Sequence, residues 1–314
     1  MALRQVSPTR IQFPSATRNI LPLVGGGKSA SGSNRYPFYV NPTAPSSTNI
    51  GGNDKRDGLS VEGALRTLQE AIDRCVAGVG DRIIMLATET VTETVNFNKS
   101  RIIVQAVDYG VQPGARGEYV ALLADASFTN GPVATITAAC RIDGLGFVSR
   151  DTGATFFSGA AALIGGLATA SPFGVHMRGC RFPKWALDNR IGLAIEGSTD
   201  CLIEECTFEG VGADFDSGIY VQGATQNLNV VRCIFRDCTY GIVHGAFAGG
   251  GPECIYQSNI FEGGSKVLDA NGNAATGLIA DNWSGLATDA GSYDDTVVNL
   301  QALGLDFSGN HYSE

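Results

Sequence analysis

The chain has 314 residues, of which 17% are charged and 41 are glycine, and its net charge is −9. That length allows a large core, and low charge with abundant glycine suits a β-rich, turn-rich architecture. No window offers the ~18 apolar residues of a membrane span. The opening MALRQVSPTRIQF lacks the apolar stretch of a secretory signal, so the eight cysteines are expected as reduced thiols.

Residues 1–50 read as an extended basic arm. Pro8, Pro14, Pro22, Pro37, Pro42 and Pro45 forbid long regular elements there. Short apolar clusters remain, at Ile11 and Phe13 and from Ile20 to Val24. Such a segment cannot build a core alone and orders by lying on another surface. The charge is divided along the chain. The first 53 residues contain no Asp or Glu and carry Arg4, Arg10, Arg18, Lys28 and Arg35, a charge of +5. The remainder holds 17 basic and 31 acidic residues, a charge of −14. An arm and a body of opposite sign are expected to touch different things.

Residues 51–80 read as a turn and a capping helix. GGNDKRDG (51–58) is the turn, and Ser60 is placed to cap a helix running to about Cys75. Leu65, Leu68, Ala71, Ile72 and Cys75 form its apolar stripe. From residue 81 to 314 the period shortens. DRIIMLA, TETVTETVNF and RIIVQAV are short β-branched runs separated by polar turns.

A repeat then appears. CRIDGLGF, VHMRGCRF, CLIEECTF, LNVVRCIF and CIYQSNIF end at Phe147, Phe182, Phe208, Phe235 and Phe261, at intervals of 35, 26, 27 and 26 residues. GLIADNWS (277–284) and LQALGLDF (300–307) fit the same template more loosely. Between the units lie glycine-bounded apolar runs, GLAIEG, GIYVQG and GIVHG. Aligned on their last residue, the units place Cys140, Val175, Cys201, Leu228 and Cys254 in the first column. The sixth column holds Leu145, Cys180, Cys206, Cys233, Asn259 and Asn282. The spacing C-x4-C, twice, invites a metal reading. Cysteine here exchanges with Leu, Val and Asn in neighbouring copies, however, as a small buried group does and a ligand does not. No metal and no cofactor are therefore expected. Coils of ~26 residues bury their apolar faces only by stacking, like on like. The expected fold is all-β, a parallel β-helix, with the Phe residues as an interior ladder and the thiols as a column beside it.

The stretch from FYVNPTAPSSTNIGGNDKRDGLSVEGALRTLQEAIDRC to GDRIIMLATETVTETVNF resembles the entry of right-handed parallel β-helix proteins of the pectin-lyase-like type. Gly58, Ala64, Thr67, Leu68, Ala71, Asp81, Ile83 and Glu93 carry the resemblance, which extends over residues 38–312. It implies a helix capping the first coil. It also points toward tailed-bacteriophage virion proteins, since the group contains polysaccharide lyases and hydrolases, tailspikes and non-enzymatic virion parts. Fold alone does not choose among these.

Glycoside cleavage on such a fold needs two carboxylates on adjacent coils. The best cluster is Glu204, Glu205, Glu209, Asp214 and Asp216, with Glu209, Asp214 and Asp216 as the alternative catalytic set and Asp237 and Arg236 stacked near Glu209 and Glu205. The competing reading is a solvated, salt-bridged face. A lyase would want a basic residue beside several Asp; Arg178, Arg181 and Lys184 are present without an Asp column. Trp185, Tyr220, Tyr240 and Trp283 are the candidate sugar-stacking rings. His176 is expected to face solvent and His244 to end a strand. No Ser-His-Asp set and no phosphate loop are found.

The expectation that follows is a non-enzymatic virion protein, a capsid cement or decoration protein. Its arm would dock on the major capsid protein or another shell protein, and its β-helix would project as a knob. Arg4, Arg10 and Arg18 are the expected charge contacts, and Phe13 and Ile20 the apolar anchors. The resemblance implies a homotrimer, placed on the capsid exterior after assembly in the host cytoplasm. No nucleic-acid or membrane partner is expected. The alternatives are a short tailspike-like glycoside hydrolase or lyase, or a carbohydrate-binding β-helix.

Overall fold

A computed structural model describes residues 37–44, 51–107, 119–128, 131–149, 159–166, 172–183, 191–210, 215–245, 253–263, 266–269, 276–284, 305–308 and 311–312. Three sheets, of ten, nine and seven strands, run side by side, and every strand pair is parallel. A coil visits them in turn. Thr199–Glu204 lies in the first sheet, Thr207–Glu209 in the second and Phe215–Gln222 in the third, and the next coil repeats the circuit. This is a parallel β-helix.

The corner between the first two sheets explains the 26-residue rhythm. Gly144, Gly179, Glu205, Arg232, Ser258 and Asp281 occupy it on successive coils, all with φ between 54° and 73°. The left-handed residue swings the chain sharply while its N–H still donates to the coil above. Glu205 N bonds Val231 O at 3.1 Å and Arg232 N bonds Gln257 O at 3.0 Å. The hydrogen-bond ladder therefore continues around the bend, as the backbone's need for partners requires.

Inside the corner the aligned columns stack. Phe147, Phe182, Phe208, Phe235 and Phe261 form a ladder with ring centroids 5.3, 4.7, 4.8 and 4.7 Å apart. The spacing is that of neighbouring strands, ~4.8 Å, so the backbone imposes the stack. Each buried ring contributes roughly 1.5–3 kcal/mol of transfer free energy. Opposite the ladder, the third sheet carries glycine. A Cβ on Gly218 would lie 2.5 Å from Phe235 and one on Gly241 2.3 Å from Phe261. The glycine that opens GIYVQG and GIVHG is thus the space into which a ring fits.

All eight cysteines are free and buried. Cys201 belongs to the first column, paired with Leu228, while Cys206 lies in the sixth. The two halves of C-x4-C therefore serve different columns. In the sixth column, Cys180, Cys206 and Cys233 direct Sγ at the carbonyls of Ile142, Met177 and Ile203 on the preceding coil, at 3.5, 3.7 and 3.5 Å. Asn259 and Asn282 then take over, donating from Nδ2 to Val230 O and Tyr256 O, each at 2.9 Å. Thiol and amide fill one structural role, which is why they exchange.

Three expectations need correction. The helix is shorter than the pattern suggested. It spans Leu68–Arg74, with Thr67 rather than Ser60 as N-cap, its side chain accepting from Glu70 N. Ser60 instead caps a tight turn by accepting from Gly63 N at 2.9 Å. Leu65 bridges Val40 in the sheet direction, so its place in the stripe reflects burial, not helical phase. Second, Phe38–Val40, inside the stretch assigned to the arm, is the first strand of the first sheet and pairs with Arg82–Met85. Third, the last unit is displaced. Leu305–Ser308 pairs with Gly277–Ala280, which puts Phe307 opposite Ile279 in the third column, and Tyr312 stands opposite Ser284 in the ladder column. The unit therefore runs from 305 to 312, not from 300 to 307. The sixth position of that register is Asn310, outside the described residues.

Candidate functional site

The outer face of the first two sheets brings together Glu204, Glu205, Glu209, Arg178, Arg236 and His176 of the residues that the sequence singled out. Strand alternation sends Ile203 and Phe208 inward and Glu204 and Glu209 outward. Glu204 is held by two arginines and a histidine. His176 Nε2 lies 2.8 Å from Oε1, Arg232 Nη2 donates to Oε2 at 2.8 Å, and Arg178 Nε stands 3.5 Å away. Glu205 accepts from Arg178 Nε at 2.9 Å and faces Arg232 Nε at 3.5 Å. Burial pushes the Glu205 carboxyl up. Hydrogen bonding to Arg178 and the charges of Arg178 and Arg232 outweigh that and hold it below the usual carboxylate range. His176 is thus not simply solvated, as expected from its outward position, but is the fifth member of an ionic network.

The second column of charge is simpler. Arg236 joins Glu262, at 2.7 Å, to Glu209, at 3.3 Å. The stacking expected between Arg236 and Glu209 is present, whereas Glu205 takes its cations from Arg178 and Arg232. Asp214 lies outside the described residues. Asp216 is in the strand Phe215–Gln222, with its side chain outside the described set, as is Lys184. Arg181 stacks over the Tyr119 ring at 5.3 Å. Glu204, Glu205 and Glu209 thus each have an arginine. A general acid needs a carboxyl held protonated near neutrality, and this face holds Glu205 ionised. Among the described residues, one carboxyl elsewhere is raised. Glu89 is pushed up to about 7 by burial, with the Leu68 amide opposing and Asp54 adding. It occupies the ladder column below Leu122 and accepts from Leu68 N at 2.8 Å, fastening the capping helix to the coil.

Among the candidate rings, Tyr220 is buried in an outer cluster with Ala194 and Val243, and Tyr240 packs against it. Trp283 is 41% exposed; Trp185 lies outside the described residues. His244 does end its strand but is wholly buried, with Nε2 2.6 Å from Tyr256 Oη, and burial lowers its pKa to about 4. Its column otherwise reads Phe97, Ile136, Ile164, Ile195 and Val221, and nothing in that run announces a histidine.

Sequence reasoning also missed a groove of about 620 Å³ on the edge by which strands enter the first sheet. Asp200, Asn227 and Glu253 line its rim at the sheet edge, and Asn229 and Ile255 also line it. Asn227 Nδ2 donates to Asp200 Oδ1 at 2.7 Å, and both residues have left-handed φ, 51° and 56°. The three rim residues stand one position before the first aligned column, so the alignment stopped just short of them. Arg4, Arg10, Phe13, Arg18 and Ile20 all lie outside the described residues. Among the described residues, no group of three or more His, Cys, Asp or Glu is placed to hold a metal ion, and no helix is long and apolar enough to cross a membrane.

Residues 157–289 match the family model described as a right handed beta helix region. The fold is a right-handed parallel β-helix. No curated protein matches the chain. Among solved structures, the crystal structure of pectate lyase Pel9A is similar at 14% identity and a TM-score of 0.42, covering 90% of this chain and 78% of that one.

Proposed function

We propose that this β-helix is a non-enzymatic structural protein of a phage virion, a cement or decoration protein docked by its basic N-terminal arm. The observation that carries the reading is the division of charge, +5 without a single acid over the first 53 residues against −14 over the rest. A basic arm with apolar anchors lays itself across an acidic protein surface, and an acidic body of the same chain is kept off that surface by repulsion. The arginine-paired carboxylates of the outer face support display rather than catalysis. The partner in this reading is the major capsid protein or another shell protein. The body projects from the capsid exterior, and a homotrimer is the assembly in view.

Deletion of residues 1–35 tests it. The truncated protein should keep its far-UV spectrum and lose co-sedimentation with purified shells. Retained decoration at full occupancy would refute the arm's role. A screen on bacterial polysaccharides should give no turnover. Turnover abolished by Glu209→Gln or Asp216→Asn would overturn the non-enzymatic reading in favour of a tailspike-like hydrolase or lyase.

A further inference from the structure

The groove lies on the edge of the first sheet by which the chain also enters that sheet. Phe38 stands in register with Ile83, Val104, Ile142, Met177, Ile203, Val230 and Tyr256. Asp200, Asn227 and Glu253 each precede that column by three residues, on the edge from which the chain also enters its first strand at Pro37. The Phe38–Val40 strand and the Gln226–Val231 strand are six steps apart in the first sheet, about 29 Å at ~4.8 Å per step. The 36 residues before Pro37 reach about 120 Å when extended. The span therefore permits the arm to reach the groove of its own molecule.

Charge selects the occupant. The rim presents two carboxylates, Asp200 and Glu253, and the lining adds an exposed aliphatic side chain, Ile255 at 39%. The arm offers cations interleaved with apolar residues: Arg10, Phe13, Arg18, Ile20. We infer that, in the free protein, the groove holds the chain's own N-terminal arm in cis. This goes beyond the docking role proposed above and does not depend on it, because it concerns the protein before any partner is met. The covalent tether replaces a bimolecular encounter with an effective concentration in the millimolar range, so a modest rim suffices to keep the arm seated. A latch of this kind would stop the basic arm from binding acidic surfaces indiscriminately.

Limited trypsin digestion of the full-length protein tests the inference, because every cation of the arm is a cleavage site. With opening faster than cleavage, the rate at Arg18 and Lys28 reports the unlatched population. At low salt, Asp200→Asn/Glu253→Gln should raise that rate roughly tenfold, the equivalent of ~1.4 kcal/mol. In 1 M NaCl, where the Debye length is ~3 Å, wild type and variant should converge. Arm reversal, Arg10→Glu/Arg18→Glu, read at Lys28, should give the same acceleration with the body untouched. Adding Glu253→Lys to it should restore protection. Equal rates at low salt for wild type and both variants would overturn the latch. Protection that grows with protein concentration would overturn it too, and assign the groove to the arm of a second copy. Shell co-sedimentation is read separately, so loss of the latch and loss of docking are distinguishable.

Discussion

Gly218→Ala probes the packing that fixes the coil's width. The added Cβ would sit 2.5 and 2.8 Å from Cδ1 and Cε1 of Phe235 and 2.9 Å from the Gly241 carbonyl oxygen. Carbon pairs prefer ~3.5–4.0 Å, so the ring must retreat by about 1 Å. It has nowhere to go, since its neighbours Phe208 and Phe261 lie at 4.8 and 4.7 Å. Overpacking of this kind costs about 1–3 kcal/mol where relaxation is available, and here the upper end is expected, ~3 kcal/mol. Phe235→Ala alone should cost about 4 kcal/mol through its cavity. In the double variant the new methyl points into that cavity. The sum of ~7 should therefore fall to about 4–5 kcal/mol, a coupling of ~2–3 kcal/mol. Urea midpoints by far-UV circular dichroism, with the slopes compared across the cycle, measure this. A cost below about 0.5 kcal/mol for Gly218→Ala, or strict additivity, would refute the claim that the glycine exists to admit the ring.

Two buried groups should give opposing pH dependences. The folded pKa of Glu89 is raised to about 7 from 4.5; its contribution is full below 4.5 and fades as pH rises through about 7. That of His244 is lowered to about 4 from 6.5; its contribution is full above 6.5 and fades as pH falls through about 4. Each is on the order of 3 kcal/mol, so they largely cancel. Glu89→Gln should make stability rise between pH 4.5 and 7, and His244→Leu should make it fall, as read from urea midpoints across that range; parallel profiles for the two variants would contradict the assignment. Asn259→Ala strips partners from the Cys233 N–H and the Val230 carbonyl and should cost about 2–4 kcal/mol by the same assay. Native protein should leave all eight thiols unlabelled by a thiol reagent over minutes, since all are buried and Cys140, for one, is raised to about 12; labelling in urea should reach eight.

The repeat was legible because parallel, in-register stacking writes the same residue type at the same place on every coil. Phe208 and Cys206 could be assigned from their neighbours alone. Where that redundancy fails, so does the reading. Ser60 and Leu65 satisfy helix rules locally, but the Val40 bridge takes Leu65 into the sheet direction. LQALGLDF ends in Phe307, yet the pairing places that residue opposite Ile279 and puts Tyr312 in the ladder column. His244 stands in an otherwise apolar column, and its partner Tyr256 comes from another sheet. The ionic network was partly visible in EECTF, but which arginine meets which glutamate depends on a corner that turns Glu205 and Arg232 into the left-handed region. The groove was invisible because Asp200, Asn227 and Glu253 share only an edge.

That corner has a consequence for how the surface can vary. Gly144 and Gly179 hold it at no steric cost, while Glu205, Arg232, Ser258 and Asp281 hold the same φ at about 1–2 kcal/mol each. The bend is enforced by stacking from above and below, so its outward side chain is not needed to make it. Each coil thus carries one address, at a fixed height along the cylinder, whose chemistry can be rewritten without disturbing the ladder a few ångströms inside. A library restricted to these corner positions would sample surfaces on an unchanged frame, and substitution there by glycine would add stability while erasing the message.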